Sequence, residues 1–158
     1  NYFGDYMIYS KRLKELREEQ NIKQYELSNY LQFSKEVYGN FERENTLIPI
    51  KYLNILANYF NCSIDYLFNF TNNKSYQNIQ QEINYNLQQL RLKELRKEQK
   101  LTQNELAKAI NVAPSTIGDY EKRNKPIATP FLYDICKKYN ISADYLLGKI
   151  DSPKYLNY

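Results

Sequence analysis

The residues able to do chemistry in this chain are its cations. There are 22 Lys and Arg against 18 Asp and Glu, a net charge of +4, with no histidine among them. The lack of histidine removes the commonest general base and the commonest transition-metal ligand together. No glycine-rich phosphate loop and no G-x-S-x-G elbow occurs, and the glycines number only 4. The expectation is a binding protein and not an enzyme, with no cofactor, no metal and no small-molecule ligand. Cys62 and Cys136 lie in apolar helical patterns, so buried reduced thiols are expected in preference to a disulfide. No apolar run is long enough to span a bilayer, and no secretory leader opens the chain. A cytoplasmic, nucleoid-associated protein is expected.

A repeated frame must position those charges. The stretch 12–68 recurs without a gap as 91–147, at a constant offset of 79, with about 20 of 57 positions identical. RLKELREEQ becomes RLKELRKEQ, and SIDYL becomes SADYL. Within each copy the apolar spacing is helical. Leu92, Leu95 and Leu101, then Leu106 and Ile110, Ile117 and Tyr120, Leu132, Ile135 and Tyr139, and Tyr145 to Leu147 give five helices in the second copy. Start signals agree. Thr102 with Glu105 is a capping box, Pro114 suits a first helical position, Ser142 suits an N-cap, and Asn111 can take the left-handed turn between helices two and three. An all-α fold with two tandem five-helix domains follows. Residues 1–70 form the first domain with its core at 12–68, residues 91–148 the second, and residues 149–158 a tail that either docks on the last helix or frays. Residues 71–90 read as a linker, helical from about 78, because Ile79, Ile83, Leu87 and Leu90 recur at helical spacing. That stripe packs on a neighbouring domain or helps form a homodimer, which the first domain could also support.

The segment Thr-Gln-x-Glu-Leu-Ala, a turn, and then Ser-Thr-Ile-x-x-Tyr-Glu describes two short helices meeting at a tight turn. It resembles the phage-repressor helix-turn-helix family, the Cro/cI-like or xenobiotic-response-element type. The resemblance covers each copy end to end, including S-x-D-Y-L at Ser63–Leu67 and Ser142–Leu146. It implies double-stranded DNA binding, with the third helix of each copy in the major groove. Carried over by position, Ser115, Thr116 and Asp119 face base edges, and Gln103 holds a phosphate. Lys122, Arg123 and Lys125 are further phosphate candidates, although any one of them could equally be a solvated surface charge. Gln24, Lys35, Glu36 and Asn40 are the first-copy counterparts. The family also implies internal Arg–Glu ties, Arg17 with Glu42 and Arg96 with Glu121, which are structural and do not face DNA.

The copies are not equivalent. Residues 12–68 hold 7 Lys/Arg and 8 Asp/Glu, a balance of −1, while residues 91–148 hold 11 and 7, a balance of +4. The first copy has Ser28 in place of the small alanine between the helices, Gln32 in place of the turn asparagine, and Glu44 where the second has Arg123. A bacterial or phage transcriptional repressor whose second domain is the stronger reader is expected. If both domains bind, half-sites would lie roughly one helical turn apart, about 34–36 Å. The alternative is a protein-interaction module on the same fold, such as an antirepressor or antitoxin.

Overall fold

The computed structural model describes residues 8–156. They form two compact units that divide after Gln77, each built from five helices among the described residues. The first unit holds α1 (Ile8–Glu19), α2 (Gln24–Tyr30), α3 (Val37–Glu42), α4 (Ile50–Tyr59) and α5 (Ile64–Leu67). The second holds α6 (Tyr85–Glu98), α7 (Gln103–Ala109), α8 (Pro114–Lys122), α9 (Thr129–Tyr139) and α10 (Ala143–Leu146). Each unit closes around one apolar core. Leu13, Leu27, Tyr38, Leu53, Leu56 and Leu67 are fully buried in the first, and Leu92, Leu106, Ile117, Leu132, Ile135 and Leu146 are buried in the second. Both cysteines are buried, and neither is in a disulfide.

Helix ends explain how so few glycines suffice. Left-handed residues follow the helices in matched pairs, Asn21 with Lys100, Gln32 with Asn111, Asn61 with Asn140, and Asn69 with Gly148. Asparagine tolerates this conformation because its short polar side chain bonds locally. Gln32 takes it too, with φ 61°. Thr102 and Glu105 form the reciprocal capping box of α7, and Ser142 Oγ accepts the Tyr145 N–H at the start of α10. In α2 only half of such a box exists, because Lys23 offers no side-chain acceptor. Its backbone N–H donates to Glu26 Oε2 at 2.9 Å.

The segment joining the units is not helical from residue 78. Asn78 is left-handed, and α6 begins only at Tyr85, where Asn84 Oδ1 accepts the Leu87 N–H. The preceding arm is irregular and bonded to the end of the second unit: Gln80 N–H donates to the Lys149 carbonyl and Asn84 N–H to the Leu147 carbonyl. These tertiary bonds override the apolar periodicity of Ile79 and Ile83. Residues 71–77 instead return onto their own unit. Lys74 C=O accepts the Ser63 N–H, and the Tyr76 hydroxyl donates to Asp65 at 2.7 Å. The second unit closes the same way, with Lys154 C=O accepting the Ser142 N–H and Leu156 N–H donating to Asn140 O. Leu156 is buried and Tyr155 is 43% exposed. The tail therefore docks as far as Leu156, while Tyr158 and residues 1–7 lie outside the described residues.

Candidate nucleic-acid interface

In each unit one ion pair ties the first helix to the third. Arg17 Nε donates to Glu42 Oε1 at 2.6 Å, and Arg96 Nη2 donates to Glu121 Oε1 at 2.8 Å. The carboxylates are almost wholly covered, with side-chain exposures of 3% and 1%. Each arginine also donates to a carbonyl just past its own helix, Ile22 or Leu101. Burial pushes the Glu42 carboxyl up, but the hydrogen bonds from Arg17 and Gln24 outweigh it and hold the group below its ordinary value. The hydrogen bond to Glu42 raises Arg17, and that to Glu121 raises Arg96.

The glutamine that opens the second helix joins this pair. Gln24 Nε2 donates to Glu42 Oε2 at 2.7 Å, and Gln103 Nε2 donates to Glu121 Oε2 at 3.4 Å. Each glutamine lies over a glycine of the third helix. A methyl added at Gly118 would meet Gln103 Oε1 at 3.8 Å, an ordinary contact, whereas one at Gly39 would meet Gln24 Oε1 at 2.8 Å. Three elements are thus locked around one carboxylate. The second helix and the third keep a fixed mutual geometry, as a rigid two-helix reader requires.

On that frame the second unit presents Ser115 exposed and Thr116 and Asp119 half-buried along one side of α8. Asp119 faces two cations, Arg123 at 3.5 Å and Lys125 at 4.0 Å. Lys122, Arg123 and Lys125 are all exposed. Ile117 and Tyr120 are buried and anchor the helix.

The first unit brings its residues together differently. Lys35 and Glu36 are exposed but precede α3, forming the turn that enters it, because Glu36 is the N-cap and the helix starts at Val37. They were expected on the helix. Asn40 lies on it, and its Oδ1 accepts from Arg43 at 2.9 Å. Gln24, Lys35, Glu36 and Arg43 line a cleft of about 410 Å³ together with Lys23 and Tyr25. Arg43 and Tyr25 are additions to the residues singled out in the sequence. Arg43 aligns with Lys122 at the offset of 79 and was legible in that alignment. Tyr25 aligns with Asn104, so nothing in the repeat pointed to it.

Comparison with known proteins matches this geometry. The helix-turn-helix family model fits at residues 13–67 and again at 92–146. The chain is similar to YobD of Bacillus subtilis, an uncharacterised HTH-type transcriptional regulator, with 41% identity over 63 residues, covering 40% of this chain and 56% of that one. It is similar to ImmR of the same organism, an HTH-type transcriptional regulator, with 38% identity over 64 residues, 40% of this chain and 50% of that one. It is also similar to PrpR of Mycobacterium tuberculosis, with 36% identity over 62 residues, 39% of this chain and 13% of that one. The chain thus spans about half the length, or less, of the curated relatives it matches. No solved structure matches it significantly. With two matched copies in register and a helix-turn-helix built into each, the chain belongs to the Cro/cI-like helix-turn-helix family.

Proposed function

We propose that the chain is a sequence-specific, double-stranded-DNA-binding transcriptional regulator, acting as a repressor and not as an enzyme, with its second unit the stronger reader. The observation that carries this is the frame in α6–α8. A buried Arg96–Glu121–Gln103 cluster holds the second helix against the third, while exposed Ser115 and the cations Lys122, Arg123 and Lys125 stand outside it. In this reading Ser115, Thr116 and Asp119 meet base edges, and the three cations meet phosphates. The positive balance of residues 91–148 supports the ranking of the units. In the first unit Gln24, Lys35, Glu36 and Asn40 form the weaker reader. Gln103 and Gln24 would approach a phosphate only while still engaged with their glutamates.

One observation favours a second reading for the first unit, as a protein-interaction module or the seat of a homodimer. Tyr30 is 54% exposed and packs edge-on against Tyr59 at 4.7 Å, where the second unit has Ala109 and Lys138. Salt separates the readings. A DNA reader loses affinity linearly in log–log terms, with a slope near −0.9 per phosphate contact, and a clasp of neutral aromatic surfaces does not. Binding of the full chain to selected duplexes across a salt series makes the test. A flat response sinks the DNA reading.

A further inference from the structure

The two third helices share one end problem and solve it with different chemistry. A helix leaves its first N–H groups without partners, and an N-cap side chain ordinarily supplies an acceptor. In α8 the N-cap Ala113 has no such acceptor, and Pro114 at the first helical position removes one of the donors. In α3 that position of the repeat is Lys35, and the N-cap, Glu36, sits in αR with no side-chain cap bond. Here the acceptor comes from another helix. Tyr38 N–H donates to Ser28 Oγ at 3.0 Å, and the same hydroxyl donates to the Lys35 carbonyl at 3.0 Å. Ser28 is fully buried on α2, as Ala107 is on α7. Its hydroxyl is spent on both sides of the turn that carries Lys35 and Glu36 into the cleft.

We propose that Ser28 is a positioning residue for base recognition, capping α3 from α2 and fixing the turn from which Lys35 and Glu36 reach the groove. This rests on the DNA reading above. A base edge is read only within hydrogen-bond reach, an ammonium meeting guanine O6 and N7 and a carboxylate accepting from the cytosine amino group. The α8 entry is different: an extended Ala113 followed at once by Pro114. Lys35 and Glu36 therefore do not stand where Pro114 and Ser115 stand, and the two units select unlike half-sites even before side-chain identity is counted.

The test is random-sequence selection on the full chain as wild type, Ser28→Ala and Ala107→Ser, with amide exchange at Tyr38 measured alongside. In Ser28→Ala the Tyr38 amide exchanges faster, and base preference in one half of the selected site shifts about tenfold while the other half is unchanged. Ala107→Ser shifts the other half, and it carries the test if Ser28→Ala does not fold. A folded Ser28→Ala with a faster Tyr38 amide and unaltered preference makes Ser28 merely structural and overturns the inference, as does an unaltered Ala107→Ser where Ser28→Ala is unfolded. A wild-type chain that enriches no sequence overturns the DNA reading, and this inference with it.

Discussion

At the scale of single residues, Glu42, which closes the cluster with Arg17 and Gln24, sets an acid limit for the first unit. Glu42 has its folded-state value held below the ordinary 4.5, so its contribution is fully present above that value and is lost as pH falls through the folded one. Thermal midpoints taken between about pH 6 and pH 3 should fall for the first unit, and Glu42→Gln should flatten that fall. Removing the partner acts differently. Arg96→Ala leaves a carboxylate buried to 1% side-chain exposure without its cation, and should cost roughly 3–5 kcal/mol in urea unfolding. The ties were expected from the family resemblance, which carries over to Arg17, Glu42, Arg96 and Glu121 by position. The third member was not, because an exposed-looking glutamine at a helix start says nothing of which way its amide turns. At Gly118 there is room for a methyl, so Gly118→Ala should be neutral or stabilise the helix by up to about 1 kcal/mol. Gly148→Ala should destabilise, since φ is +70° and the new Cβ would lie 2.7 Å from Asn84 Cβ.

At the scale of elements, the helices themselves followed from apolar spacing and caps, and the departures came where a tertiary bond outweighed a local pattern. Ile79 and Ile83 kept helical spacing but lie in an irregular arm, because Gln80 and Asn84 spend their N–H groups on the carbonyls of Lys149 and Leu147. Lys35 and Glu36 fell off α3 because Ser28 captures the backbone that would have begun the helix there. Neither bond partner is near in sequence, so no local signal announced them. Ser28→Ala should lower stability by about 1–3 kcal/mol through the orphaned Tyr38 N–H, as read by denaturant midpoints. The left-handed ends offer a gain: Gln32→Gly, at φ 61°, should raise the midpoint by the equivalent of about 1 kcal/mol.

At the scale of the whole molecule, counting charge over each unit and mapping it onto each face give different pictures. Residues 12–68 have a net balance of −1, yet the cleft of the first unit gathers Lys23, Lys35 and Arg43 around Gln24. The second unit carries its cations past α8, where Arg123 and Lys125 also pair with Asp119. If each of these cations meets a phosphate, replacing it with alanine should make the log–log salt slope shallower by about 0.9. Comparing Arg123→Ala and Lys125→Ala with Lys23→Ala and Arg43→Ala in the full chain ranks the units directly. Composition alone could not show this, since it adds up charges without saying which surface holds them. The returning tails have a consequence for how such a chain can be rearranged. Lys74 closes onto Ser63 and Lys154 onto Ser142, so each copy is a sealed cassette longer than its aligned 57 positions. A gene recut between Gln77 and Asn78 and rejoined in reverse order would carry every one of these closing bonds along, so each unit should keep its fold in either order.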